Sequence, residues 1–360
     1  MRTLRDSTLL RHLLLLVIGV VLVIAMTATF SDYHNYELAQ LGAYVCAAAG
    51  LTFLTGGNGQ VSLGHAALMA IGGYTVALLQ TRFSDHGVSG PWVLPVSLLV
   101  GMLVTAAAGA LFGIAAARLR GPYLAGATLA LGVALPGITS HYSGFFKGDQ
   151  GLFVPFDGPP SGLGTGFTLQ HWQAWISLFA ALIVLFLLAN LNRSAVGRHM
   201  RAVRDEEIAS ALCGLSVPRV QILAFAVSAA AAGLGGGVFA VWLQTASPGS
   251  FDLVLSLTLL SAVVIGGLGS LAGAVWGCLL VVYLGTFISD RVDDLGLSAA
   301  STAKLHDNLP SAVYGLLLIV VILALPGGIQ GLLRRLLALR PRRGTSQPTR
   351  STTQPTGGLS

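Results

Sequence analysis

The chain has 360 residues, of which 54% are hydrophobic and only 9% charged, against about 25% charged in an ordinary soluble domain. So few charges cannot cover a water-exposed surface, and apolar runs near the roughly 20 residues needed to cross a hydrocarbon core recur from end to end, which excludes a soluble globular enzyme. The net charge of +6 suggests nucleic acid or anionic lipid at first sight, but the arginines sort by membrane side, and nucleic acid is not expected.

Arg2, Arg5 and Arg11 precede the apolar run Leu13 to Phe30. That run is longer than the core of a signal peptide and reads as a retained first helix, with cleavage near Ala28 as the alternative. Further apolar windows follow at Leu41 to Thr55, Ser62 to Gln80, Trp92 to Ala117, Tyr123 to His141 and Trp172 to Leu191. The second half adds Val220 to Leu243, Leu253 to Ile265, Leu271 to Ser289 and Leu309 to Leu325. The expected fold is therefore an all-α, polytopic helical membrane protein of about ten crossings, or eight with re-entrant pieces. Residues 1–340 form the transmembrane domain, and 341–360, rich in Ser, Thr, Pro and Gly, form a disordered tail.

Ten crossings with a cytoplasmic N-terminus place sixteen of the 20 Lys and Arg residues inside and leave Arg82, Lys147, Arg291 and Lys304 outside. Asp32, Glu37, Asp85, Asp290, Asp293, Asp294 and Asp307 then face outward, and both termini are cytoplasmic. The segment Ser143 to Gln170 is a long external connection, either a plain connector or a cover over an entrance.

No Asp, Glu, Lys or Arg falls within the expected hydrocarbon segments, so a carboxylate proton relay is not expected. The chain also lacks a Gly-x-x-x-x-Gly-Lys-Ser/Thr phosphate loop, a nucleophile elbow and histidines at the spacing of a helical zinc site. Cys46, Cys213 and Cys278 are isolated, which implies neither a disulfide framework nor a metal site. No catalytic residue, metal or cofactor is expected, and energy for uphill transport must come from another subunit.

Small residues at four-residue spacing, Ala229, Gly233 and Gly237 beside Ala232, Gly236 and Ala240, and later Gly269, Gly273 and Gly277, read as helix packing. Thr55 to Tyr74 differs, because its glycines bracket Asn58, Gln60, Ser62 and His65. Gly56, Gly57 and Gly59 should break the helix and free backbone groups that protein or a water-lined cavity must satisfy. Gly266, Gly267, Gly269 and Ser270 interrupt the other half, and paired interruptions point to a translocation route. The alternative is a short turn at Asn58 and Gln60, with Ser62 capping the next helix and His65 bonded to a nearby carbonyl.

The long charged segment at 192–219 must be cytoplasmic, since each arginine at a bilayer centre costs about 2.5 to 3.5 kcal/mol. Its pattern predicts one helix from Gly197 to Cys213, with Met200, Val203, Ala211 and Leu212 on an apolar face and Gly214 as the stop. Composition alone leaves a partner-docking helix and a lipid-surface helix as alternatives.

A resemblance separates them. "GRHMRAVRDEEIASALCGLSVPRVQILAFAVSAAAAGLGGGVFA" from Gly197 resembles the cytoplasmic loop and following span of the permeases of branched-chain amino acid ABC transporters. "GNGQVSLGHAALMAIGGYTVALL" from Gly57, "ARLRGPYLAGATLALG" from Ala117 and "VVIGGLGSLAGAVWG" from Val263 agree with it in order and spacing, and "RLRGPYLAGATL" is closer to the M-type of the two paralogous permeases. The resemblance implies an inner-membrane importer for branched-chain or related amino acids, with an H-type permease, two cytoplasmic ATPases, an external solute-binding protein and surrounding membrane lipid as partners. It also implies that Arg198, Arg201, Arg204, Asp205, Glu206, Glu207, Ala209 and Gly214 belong to a coupling helix. Ile208 stands where importers carry a first alanine, and the glycine follows Glu207 by seven residues rather than six, which leaves the docking register open. Urea or short amides as cargo, or a self-sufficient channel for a small neutral solute, are the alternative readings; a membrane enzyme lacks any clustered chemistry.

Overall fold

The computed structural model describes residues 8–119, 122–156, 158–159, 167–294, 327–338 and scattered positions between 309 and 323. Its helices are α1 (Thr8–Thr29), α2 (Asp32–Thr52), α3 (His65–Asp85), α4 (Val93–Ala116), α5 (Pro122–His141), the single turn α6 (Ser143–Phe146) and α7 (Leu169–Arg193). The second half contributes α8 (Ala195–Asp205), α9 (Glu207–Leu212), α10 (Val217–Leu243), α11 (Leu253–Gly266), α12 (Leu271–Asp294) and α13 (Gly328–Ala338). The strand pairing among the described residues is one short antiparallel contact, β1 (Leu152–Phe153) with β2 (Thr245–Ala246), so the external connection at 143–170 is partly ordered against the end of α10.

Eight helical stretches among the described residues are long and apolar enough to cross a membrane. They match the expected spans except at the second and third windows. There, α2 starts at Asp32 and runs through a π-helical turn at Phe53–Gly57, nine residues before the expected Leu41. Glu37, expected at the outer surface, is consequently only 5% exposed on a spanning helix. The expectation that no carboxylate enters a span fails because α2 packs on protein along nearly its whole length, where a polar side chain escapes lipid. The last expected span and the 341–360 tail lie largely or wholly outside the described residues.

Small residues decide the packing. α10 is the central post, with Gly233 against the backbone of Gly72 on α3 and the side chain of Thr105 on α4, and Gly236 against the backbone of Met69. A methyl group at Gly233 would strike Thr105, one at Gly236 the backbone of Met69, and one at Gly72 the backbone of Gly233, so the four-residue stripe is a packing surface, as its spacing predicts. α2 is held to α10 by Ser228 Oγ donating to Gly50 O at 2.8 Å and to α7 by Ser177 Oγ donating to Ala39 O. α1 packs on α7, where His12 bonds Asn190 at 2.8 Å and Trp175 Nε1 donates to Thr27 Oγ1 at 2.8 Å, and leaves Leu14, Val17, Val21 and Leu22 exposed as a lipid-facing helix does.

Two segments enter the bundle without regular α-helix. After Gly57 the chain runs irregularly to Gly64, and α3 begins only at His65, whose ring Nε2 lies 3.1 Å from Ala47 O. Ala47 precedes Gly57 by ten residues on a helix, so α3 starts about 15 Å inside the bundle, not at Ser62 near its end. The freed amides find partners in protein: Leu63 N donates to Thr128 Oγ1 at 3.0 Å and Ala66 N to Ser256 Oγ at 2.9 Å. The second segment, residues 244–252, comes in from the opposite end. Its 3-10 turn Pro248–Phe251 packs Phe251 against Tyr74 and Phe239, Asp252 caps α11 by accepting from Leu255 N at 2.9 Å, and Ser256 reaches Ala66. The first turns of α3 and α11 therefore meet inside the bundle from opposite sides, the arrangement of discontinuous helices in inverted transporter repeats.

Candidate functional site

The arginine-rich end of the bundle carries an elbow rather than one helix. α8 is amphipathic, with Gly197, Met200 and Val203 buried, and it stops where Glu206 adopts an extended conformation (φ -153°, ψ 102°). The expected continuous helix Gly197 to Cys213 is thus broken after Asp205, and the expected common apolar face does not form: Met200 and Val203 are buried, while Leu212 is 85% exposed. The stop at Gly214 is as expected. Its φ of 85° suits glycine, and the bonds Leu215 N to Ser210 O (3.1 Å) and Gly214 N to Ala211 O (3.0 Å) close the helix in the Schellman pattern.

The arginines spend donors on their own chain. Arg198 Nη1 donates to Arg193 O at 3.3 Å and Arg201 Nη1 to Asn192 O at 2.8 Å, which fastens α8 to the end of α7. Arg204 does more. Its Nη1 donates to Gly56 O at 2.6 Å, while Nε and Nη2 donate to Asp205 Oδ1 at 2.9 and 2.7 Å. Gly56 itself sits against Gly269, where a methyl group would overlap Gly269 Cα. One arginine therefore ties α8 to the break after α2, and that break rests on the turn between α11 and α12.

α9 borders an open cleft beside this junction, which Ile208, Ala211 and Leu212 line. Glu207 accepts from Gln221 Nε2 at 2.8 Å, whereas Glu206 and Ala209 are exposed and Ile208 is 77% exposed. The cleft, of about 950 Å³, separates the elbow from the first break; Asn58, Gln60, Leu119, Leu124, Arg204 and Gln221 also line it.

The residues expected along a route divide into three places. Asn58 and Gln60 are buried at the cleft wall, Asn58 Nδ2 donating to Gln60 Oε1 at 2.8 Å. Ser62 and His65 are sealed deeper, with 1% and 0% exposure, and the His65 bond to a carbonyl is the packing role the sequence left open. No side-chain cap links Ser62 to α3, whose N-cap is Gly64. Gly266, Gly267, Gly269 and Ser270 form the α11–α12 turn, with Gly266 against the backbone of Gly273 and Ser270 Oγ accepting from Gly273 N at 3.3 Å. That turn lies at the arginine-rich end beside Gly56; the deep interruption of the second half is residues 244–252. The apolar windows end at Leu243 and resume at Leu253 and so pass over this stretch, although "QTASPGSFD" from Gln244 carries the Ser, Pro and Gly cluster and the capping aspartate of an irregular entry to a helix. Among the described residues no group of three His, Cys, Asp or Glu could hold a metal ion.

The arrangement can transmit movement. Arg204 bonds Gly56 and Met200 packs beside Gly57, so α8 meets the break after α2 through two side chains, and Gly56 and Gly269 join the two halves of the chain by backbone contact. Rigid packing of this kind carries displacement between discrete arrangements.

The family described as "Branched-chain amino acid transport system / permease component" matches residues 35–325. The high-affinity branched-chain amino acid transport system permease protein LivM of Escherichia coli is 30% identical over 302 residues, covering 77% of this chain and 68% of the relative. LivM of Salmonella typhimurium is 32% identical over 263 residues, and the match spans 66% of this chain but only 60% of that relative's length. The high-affinity branched-chain amino acid transport system permease protein LivH of Escherichia coli is 25% identical over 322 residues, 84% of this chain and 97% of LivH. No solved structure matches the chain.

Proposed function

The chain belongs to the branched-chain amino acid transport system permease family, M-type, and from that premise we propose that it forms half of the translocation route of an ABC importer. Its partners are a paralogous H-type permease, two cytoplasmic ATPases and an external solute-binding protein. Branched-chain amino acids are the cargo, and the chain lies in the bacterial inner membrane with both termini in the cytoplasm. It performs no chemistry of its own.

The observation that carries this reading is the elbow α8–α9. It exposes Ile208 and Leu212 at the arginine-rich end and is tied through Arg204 to the first broken segment. An apolar pair on a charged, protruding elbow suits insertion into a cleft of another protein, with Asp205 and Glu206 as rim charges that select the partner. The pathway residues Asn58 and Gln60 carry no charge, which suits a route that need not hold its cargo tightly when an external protein selects it.

The test is reconstitution. The chain, an H-type permease, the ATPases and the binding protein are reconstituted together in liposomes, and labelled leucine uptake is followed with and without ATP. Uptake that requires ATP and the binding protein supports the proposal. Solute flux through the permeases alone would establish a self-sufficient channel instead, and ATP-dependent uptake of labelled urea or a short amide but not of leucine would reassign the cargo.

A further inference from the structure

The short helix α13 has no role in the arrangement above, yet it sits against it. Gly328, at φ 62°, begins the helix with its backbone pressed on Gly267, and Gln330 packs over the same glycine. From that anchor α13 leaves the bundle at the arginine-rich end, because Gly267 belongs to the turn whose Gly269 meets Gly56. Leu332 and Leu336, one turn apart, are 40% and 56% exposed, and Arg334 and Arg335 are exposed on the flank. The sequence beyond adds Arg340, Arg342 and Arg343.

A helix that exposes leucines along one face and arginines beside it, at the level where membrane-spanning helices end, has the pattern of one lying in the interface plane. The apolar face is stable among the acyl chains, and the guanidiniums reach the phosphates above them. Charge complementarity separates this surface from the elbow. The exposed apolar residues of α9 are flanked by Asp205 and Glu206, which an anionic surface repels; those of α13 are flanked only by arginine.

We propose that α13 is an interfacial helix that binds anionic phospholipid headgroups through Arg334 and Arg335, and that lipid bound there steadies the α11–α12 turn through the Gly328–Gly267 contact. Each basic residue near an anionic leaflet strengthens attraction by about fivefold, so removing both should weaken the preference for anionic lipid by about 25-fold.

The experiment uses the full chain in vesicles of phosphatidylcholine alone or of phosphatidylcholine with an equal part of phosphatidylglycerol. Leu336→Cys, in a Cys213→Ser background because Cys213 is exposed, carries an environment-sensitive fluorophore. Retained lipid is counted by mass spectrometry after purification. The expected result is quenching of the probe by chain-labelled lipid and enrichment of phosphatidylglycerol, an enrichment that Arg334→Gln with Arg335→Gln lowers by about 25-fold and Arg334→Lys with Arg335→Lys preserves. The proposal is overturned if the probe is quenched only from water, or if the glutamine pair leaves lipid enrichment unchanged. It is also overturned if that pair releases co-purified ATPase without altering lipid, because α13 would then dock protein. None of these outcomes depends on which solute is carried.

Discussion

The link between Arg204 and Gly56 makes a quantitative test of coupling. Arg204→Gln removes a charge-assisted bond of 2.6 Å to a main-chain carbonyl, an interaction that contributes about 1.5 to 3 kcal/mol when well shielded. The side chain is 39% exposed, so solvent reduces this to about 1 to 2 kcal/mol. Gly56 has no room to turn its carbonyl elsewhere, since Gly269 closes its other side. The elbow should stay folded, because α8 keeps its bonds from Arg198 and Arg201 to the end of α7. In the assembled transporter, loss of about 1 to 2 kcal/mol lowers the population of the linked arrangement by about 5- to 30-fold. The assay is the ratio of leucine taken up to ATP hydrolysed in proteoliposomes. That ratio should fall by about this factor, while ATP hydrolysis and ATPase association persist; Arg204→Lys, with one point charge in place of a fork, should lie between. An unchanged ratio refutes the reasoning. So does release of the ATPase by Arg204→Gln, which would make Arg204 a docking charge on the elbow's outer face.

Other substitutions probe the remaining parts. Gly64→Ala places a methyl group on the carbonyl of Thr128 and 3.1 Å from Gly132 N, so thermal unfolding in detergent should show a loss of more than about 3 kcal/mol. Gly126→Ala, with nothing within 4 Å, is the control, and equal melting of the two variants would deny the close approach of α3 and α5. Ile208→Ser with Leu212→Ser should leave stability within about 0.5 kcal/mol yet weaken ATPase co-purification by at least about tenfold; undiminished binding places the contact elsewhere. Asp252→Asn should keep the cap on α11 and melt like the parent, whereas Asp252→Ala should cost about 1 kcal/mol, and a large loss in both would mean that the carboxylate charge holds more than the helix start.

Much of the architecture was legible because lipid imposes simple demands. A nearly charge-free chain with apolar runs of spanning length must be a helical bundle, and the five arginines between Leu191 and Val220 must lie outside the hydrocarbon. Small residues four apart on α10 announce close packing, and Gly214 announces the end of α9, since both follow from local geometry. The residues 244–252 were less legible. Irregular backbone at an interior depth has the same composition as an external loop, and only contacts from distant elements, Phe251 on Tyr74 and Ser256 on Ala66, show how far it penetrates.

The roles of single polar residues divide along the same line. Hydropathy and charge settled that Arg204 stays out of the membrane and that the glycines around Asn58 interrupt a helix, because those outcomes depend on solvation of each residue where it stands. Whether Glu37 faced water or protein, whether His65 lined a route or filled the core, and which carbonyl Arg204 reached were decided by helices far away in the chain. Burial and hydrogen bonding are properties of neighbours, and the neighbours of Gly56 at Arg204 and Gly269 exist only once the bundle has closed.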